Sequence, residues 1–295
     1  MAASLFGRFA LLAWILLGGQ AAMALDIASL WNYSDPAASE QRFRQALAGA
    51  SGDDALELQT QIARTYGLRH RFAEARQVLA GIEAAIPRAA AQPQVRYYLE
   101  LGRTYASPAH EPPEITPEAR EKARTAYTQA FEKAKAARLD YLAVDALHMM
   151  NAVDAEPADQ LAWDLKALAH MEASTQEEAK KWEGPLRNNL GYAYHLAGRY
   201  DEALAQFRLS LAAYERSGRA ANVRIAHWMI ARTLRLQGKT QEAIAIQLRL
   251  EREWNEAGDP DPYVYEELET LYRDAGNAEL AEAYAAKLRA SRPAQ

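Results

Sequence analysis

The chain has 295 residues, 49% of them hydrophobic and 25% charged, a composition that supports a sizeable folded interior and excludes disorder for most of its length. Its formal net charge of −5, with Lys and Arg scattered along the sequence, leaves no basic field to attract nucleic-acid phosphates. It has no cysteine, which excludes disulfides, thiolate nucleophiles and sulfur-based zinc sites.

At the N-terminus, Arg8 is the only charged side chain before Asp26, and it precedes an apolar run from Phe9 to Leu17. Gly18 and Gly19 then break a helix, and Ala22-Met23-Ala24 places small residues at the two positions a signal peptidase must accommodate. Residues 1–24 therefore read as a secretory signal cleaved after Ala24, and the expected location is periplasmic or secreted. The apolar run falls short of the roughly 20 residues a spanning helix needs. No stretch of that length follows Leu25, so no membrane span is expected after cleavage.

Residues 25–50 form a predicted helical cap. Asp35-Pro36 starts a short helix that contains Phe43 and Leu47 and stops near Gly49, placed to cover the open face of a first repeat; Trp31 and Tyr33 are expected to pack against that first hairpin. Residues 51–140 show helical periodicity on both sides of the corner His70-Arg71-Phe72-Ala73-Glu74-Ala75, and a further helix through Tyr98 and Tyr105. An insertion at 106–117 follows, with prolines at 108, 112, 113 and 117 and with His110, Glu111 and Glu114. Thr116-Pro117-Glu118 has the form of a cap followed by a first-turn proline, restarting a helix through Tyr127 and Phe131. Residues 141–180 are helical but irregular, broken at Glu156-Pro157. Residues 181–295 then repeat one corner: Gly198-Arg199-Tyr200-Asp201-Glu202-Ala203, Gly238-Lys239-Thr240-Gln241-Glu242-Ala243 and Gly276-Asn277-Ala278-Glu279-Leu280-Ala281.

The corner has a physical reading. Gly ends the first helix in a left-handed conformation, acidic residues after it suit the positive end of the second helix, and Ala sits where the two helices approach most closely. Leu190, Gly191 and Tyr194 before the corner, with Ala203 and Phe207 after it, resemble the tetratricopeptide repeat. Tyr98, Leu101, Gly102 and Tyr105 match its first helix, and Ile62, Ala63, Tyr66, Ala75, Leu79 and Pro87 match a whole copy with conservative changes. Weaker copies run through Ile230, Ala231, Leu234 and Ala243, then Leu268, Tyr272, Ala281 and Leu288. The corner glycines lie 40 and 38 residues apart, against about 34 for the minimal unit. The surplus is expected in the helices or in the turns at 217–219 and 258–262. The resemblance implies an all-α fold, a right-handed α-solenoid of stacked helix-turn-helix hairpins, roughly six in number.

Catalytic signatures are missing: the sequence has no Gly-rich phosphate loop, no HExxH and no nucleophile elbow. His148-Met149-Met150 with Asp154, Glu156 and Asp159 comes nearest to a metal cluster but lacks ligand spacing, and helix contacts beside a solvated helix end explain it more simply. Asp259, Asp261, Glu266 and Glu267 read as a turn followed by a helix start. No catalytic residue, metal or cofactor is expected. The resemblance instead points to the concave face, lined by fixed positions of each first helix. These are Asn188, Asn189, Tyr192 and His195, then Trp228, Met229, Arg232 and Arg235, then Glu266, Glu267, Thr270 and Arg273. Asn and Arg there could clamp a carboxylate or peptide amides, with Tyr192 and Trp228 supplying apolar area. The Lys and Asn combination of carboxylate-clamping members is not reproduced, and two alternatives stay open: Trp228 in the core, and Arg232 paired with acids of a neighbouring hairpin. The expected function is an exported scaffold or adaptor holding a protein or peptide, in envelope assembly or secretion. Its rivals are a metal-dependent or hydrolytic enzyme centred on His148, and a self-associating structural protein.

Overall fold

The computed structural model describes residues 25–291; the predicted signal, residues 1–24, lies outside them. A cap of α1 (Ile27–Leu30) and α2 (Pro36–Leu47) leads into helical hairpins. The first three are α3 (Gly52–Gly67) with α4 (Phe72–Ala80), α5 (Ala91–Arg103) with α6 (Pro117–Ala136), and α7 (Asp140–Met149) with α8 (Pro157–Ala173). A single turn, α9 (Glu177–Lys180), separates them from the rest. Then come α10 (Glu183–Leu196) with α11 (Tyr200–Arg216), α12 (Ala220–Leu236) with α13 (Thr240–Glu256), and α14 (Pro262–Asp274) with α15 (Ala278–Ser291). Helices pack on their neighbours in chain order, and no strand occurs among the described residues, so the fold is an all-α solenoid.

One hydrogen-bonding pattern makes the corners of the first hairpin and the last three. The backbone N–H one residue past the left-handed position reaches back to the carbonyl five residues earlier: Arg71 to Tyr66, Arg199 to Tyr194, Lys239 to Leu234 and Asn277 to Tyr272, all at 2.9–3.0 Å. Gly198, Gly238 and Gly276 take φ of 71–76° there, and His70 takes 58° in their place. That pattern satisfies carbonyls the helix end would leave open, and a residue with a β-carbon adopts it only at a cost.

Glycines at a second position let the paired helices approach. A β-carbon on Gly102 would lie 2.5 Å from the ring of Tyr127, and one on Gly191 would lie 2.6 Å from the ring of Phe207. The aromatic ring of the second helix therefore rests on bare backbone of the first, which is what ties Leu-Gly in one helix to an aromatic residue in the next. Ala75, Ala203 and Ala243, fully buried, perform the same service from the other helix. The extra residues of the longer units go into the helices: α11, α12 and α13 each run 17 residues.

Asp35 accepts the Ala38 N–H at 2.9 Å and starts α2, whose Phe43 is fully buried against Leu58 and Ile62 of α3. Trp31 packs edge-on against Phe43, 5.1 Å between centroids, and its indole N–H donates to Gln61. Tyr33 departs from the expectation. It stacks on the outer face of Trp31 at 4.6 Å and is 62% exposed, because the indole already fills the space over α3. The proline-rich insertion joins α5 to α6: Thr116 caps α6 through the Ala119 N–H, and the His110 ring stacks on Phe72 at 3.7 Å, folding the loop back onto the first hairpin.

Candidate binding groove

The first helices of successive hairpins, α3, α5 and α7, then α10, α12 and α14, share one face. Along it runs a ladder in which a side chain of one hairpin bonds a side chain one turn earlier in the next. Arg64 on α3 donates to Glu100 on α5 at 3.2 Å. Arg103 on α5 donates to Asp145 on α7 at 2.5 Å and also holds Glu100 at 2.6 Å. His148 on α7 meets Asn189 on α10 at 3.3 Å, and Arg232 on α12 faces Glu267 on α14 at 3.6 Å. Between α10 and α12 the equivalent pair is Tyr192 and Met229, and the polar ladder is interrupted.

Glu100, Asp145 and Glu267 are buried, so each rung takes charges out of water and repays the cost only through good geometry. Burial works against ionisation of Asp145, but the Arg103 and Arg64 guanidiniums outweigh it and hold the carboxyl below its ordinary range. The same surroundings drive the Arg103 guanidinium above its usual range despite its burial. His148, buried in the same stretch, is pushed down by desolvation, with Asp145 opposing and Arg103 reinforcing the shift. It is therefore a neutral imidazole at neutral pH.

Above the first two rungs the face opens into two cavities. One, of about 250 Å³, lies between Arg64, Glu100, Arg103, Asp145 and His148 and is closed at one end by Ser107, Pro108 and Ala109 of the insertion. The other, of about 320 Å³, lies between Arg64, Arg96 and Asp145 under the Trp31 and Tyr33 pair. Arg64, Asp145 and Trp182 border both, so the two cavities adjoin. Trp182 stands where α9 replaces a regular turn: its N–H donates to the Tyr141 carbonyl at 3.1 Å and its ring packs 5.2 Å from His148. Arg64 lies 5.9 Å from the centre of the Trp31 ring and has a buried Nε with no partner. Apolar and aromatic walls over a floor of oriented charges suit an extended ligand that offers both side chains and amides.

The residues expected to line the groove all lie on the first helices, but they do not converge. Asn189 forms the third rung, while Asn188 has a buried Oδ1 without a partner. Tyr192 is 43% exposed and stacks on His195, which is itself buried, bonded to Thr233 at 2.9 Å and lowered in pKa by burial and by Arg232 and Arg235. Trp228 is half-buried, donating to the Tyr263 carbonyl with Arg232 over its ring. Arg235 makes two bonds to Glu267, at 2.9 and 3.2 Å, and Arg273 pairs with Glu269 within α14. These cations thus face acids of their own solenoid. In the irregular unit, Met149 and Met150 are core, and Asp154 is held by Arg124 at 2.6 Å and Trp163 at 2.7 Å.

Sequence reasoning passed over Arg64, Glu100, Arg103 and Asp145. The signal was available, because the offset that selects Asn189 and Tyr192 relative to Leu190-Gly191 selects Glu100 and Arg103 relative to Leu101-Gly102, and Gln61 and Arg64 relative to Ile62-Ala63.

The sequence pattern of the tetratricopeptide repeat matches residues 183–252. Among curated proteins, none matches the chain. Solved structures share the fold, two of them as follows. The apo form of RapI has a TM-score of 0.65 at 14% identity, over 89% of this chain and 73% of its own. The apo form of the quorum sensor NprR from B. thuringiensis has a TM-score of 0.50 at 13% identity, over 87% and 82%. Residues 183–252 thus match the tetratricopeptide repeat, and the described residues as a whole form the all-α solenoid that such hairpins build.

Proposed function

We propose that the protein is an exported scaffold that holds an extended segment of another protein, or a peptide, along the face formed by its first helices, with the main seat over hairpins one to three. The observation that carries this reading is the pair of adjoining cavities on this face, both bordered by Arg64, Asp145 and Trp182. Its walls are rigid, coming from α3, α5 and α7, and its floor charges are fixed by the ladder, so little ordering cost falls on the protein when a ligand binds. The repeat match and the fold shared with a quorum sensor support an interaction role. The sequence of residues 1–24 is the support for export, and envelope assembly or secretion is the setting this implies.

The upper half of the same face, from Asn188, Asn189, Tyr192 and His195 through Trp228, Arg232 and Arg235 to Arg273, would extend the seat for a longer partner. An array of extended peptides probed with wild type, Trp182→Ala and the double substitution Arg232→Ala/Arg235→Ala tests both parts. Binders lost by Trp182→Ala support the lower seat, and further loss in the double variant supports the extension. A peptide set unchanged by Trp182→Ala overturns the lower seat. N-terminal sequencing of the protein recovered from a bacterial envelope fraction should begin at Leu25; a chain that begins at Met1 in the cytosol ends the export reading.

A further inference from the structure

Two departures from the repeat in the first three hairpins, the proline-rich insertion and the connection from α7 to α8, border one cavity. That connection has no glycine corner: it runs through a single 3-10 turn at Met150–Ala152 to the break at Glu156-Pro157. The cavity has a volume of about 330 Å³, at the small end of ligand pockets. His110 and Ile115 border it from the insertion, Asn151 and Ala155 from the connection, Gln160 from α8 and Asn189 from α10. Ser107, Pro108, His148 and Met149 border both this cavity and the first one, so the two adjoin where the insertion begins. Insertions in a helical array fall on loops at one face, often the face that binds.

The border is tied down by bonds within the protein. Arg120 on α6 donates to the Val153 carbonyl at 2.5 Å, Arg124 and the Trp163 indole hold the Asp154 carboxylate, and Gln160 Nε2 donates to the Asp154 carbonyl at 2.8 Å. Asn151 Nδ2 donates to Asp164 at 2.8 Å, Asn189 Nδ2 lies 3.3 Å from His148 Nδ1, and Ser107 Oγ lies 3.0 Å from His110 Nδ1. The charges on the border, Arg120 and Asp154, are thus engaged by the protein itself. Both imidazoles are pushed down by burial, His110 against raising by the Thr104 and Ser107 backbone and by Glu114, so both are neutral at neutral pH. What remains for a ligand is three carboxamides and two neutral rings. A charged group entering here would lose its water without finding a counter-charge, whereas an amide offers the donor and the acceptor that such a lining complements.

We infer that this third cavity is a subsite for an uncharged amide of the ligand, a carboxamide side chain or a backbone peptide unit, and that it discriminates against carboxylate and ammonium groups. The inference rests on the proposed function for its occupant: the ligand's chain would pass from the first cavity to the third beside Ser107 and His148.

The test is an NMR titration of the full chain at neutral pH with probes of similar size: propionamide, N-methylacetamide, propionate and propylammonium. The amides should shift the side-chain NH2 signals of Asn151, Gln160 and Asn189 saturably. Tighter binding of propionamide identifies a carboxamide side chain as the source, and tighter binding of N-methylacetamide a backbone unit. Propionate and propylammonium should bind about tenfold more weakly, or worse, because each leaves a charge unpaired. Ala155 is exposed and borders this cavity and neither of the other two, so Ala155→Trp should abolish the shifts. Trp182 borders the other two, so Trp182→Ala should keep them. Equal affinity for propionate or propylammonium, no saturable shift with either amide, or shifts that survive Ala155→Trp overturn the subsite. The first two are read on wild type, so a poorly folding variant leaves the inference open to refutation. The two readings also fail separately: peptides indifferent to Trp182→Ala refute the lower seat while amide binding stands, and peptides that need Trp182 without any amide shift refute the subsite alone.

Discussion

The three hairpins before α9 and the three after it share a first-helix ladder, and the first hairpin shares the corner of the last three, yet the two halves differ in what that ladder leaves open. After α9 the pattern is regular enough for residues 183–252 to match the repeat family, and there Arg232 and Arg235 close on Glu267. Before α9 the pattern is degraded by a His at a glycine corner, a proline-rich insertion and an irregular third hairpin, and this is where the groove lies. The difference teaches that repeat consensus reports how hairpins pack. It marks the residues that let helices touch, Gly191 against Phe207 for instance, and is silent on the face a ligand would meet.

The sharpest way to break this comparison is to remove one cation from each half. Arg103→Ala leaves Asp145 buried without its ion-pair partner, Glu100 keeping Arg64, and should cost about 3–5 kcal/mol in urea unfolding. Arg235→Ala leaves Arg232 within reach of Glu267 and should cost about 1–2 kcal/mol. Equal losses would mean that the two ladders do the same structural work. Packing should respond alike in both halves: Gly102→Ala and Gly191→Ala each force a β-carbon into an aromatic ring and should destabilise by about 1–3 kcal/mol, although alanine is the better helix former. A neutral result at either position would show that the ring can move aside.

The third hairpin carries a comparison of its own, because Asp145 on α7 and Asp164 on α8 should give stability opposite dependences on pH. Asp145, buried but held below its ordinary range by Arg103 and Arg64, contributes stability present above its unfolded value and lost as pH falls through its folded one. Asp164, raised to about 7 by burial, gives stability that is complete below its unfolded value and lost as pH rises toward 7. Relative to wild type, Asp145→Asn should therefore be most damaging near neutral pH and progressively less so in acid, while Asp164→Asn should gain as pH rises. Urea midpoints from pH 2.5 to 8 check both signs, the Asp145 change falling below about pH 4 and the Asp164 change between about pH 4 and 7, and parallel curves for the two variants would refute the assignment. The smallest effect expected is at the corners: His70→Gly should add about 1 kcal/mol to stability by relieving a left-handed residue, and Gly198→Ala should remove a similar amount.

Much of the architecture was legible along the chain because its causes are local. Asp35 and Thr116 start helices through their own side chains, proline at 36, 117 and 157 opens a first turn, and glycine at 198, 238 and 276 closes one. Even the helix pairing could be read, since Leu-Gly in one helix and an aromatic in the next describe a single contact from both sides. What the sequence could not determine is which polar residues of the first helices find partners in the following hairpin. Arg232 and Arg64 occupy equivalent positions and each meets a buried glutamate shared with a second arginine, but Arg64 also borders both cavities, whereas Arg232 lies over the Trp228 ring. That outcome depends on how far each hairpin turns relative to the next and on where Trp182 and the insertion fall, distances fixed by packing between segments about 40 residues apart. Periodicity alone therefore determined an all-α repeat with its corners and close contacts. Only the stacked structure decided where the face closes on itself, where it stays open, and that Asp164 is buried without a counter-charge.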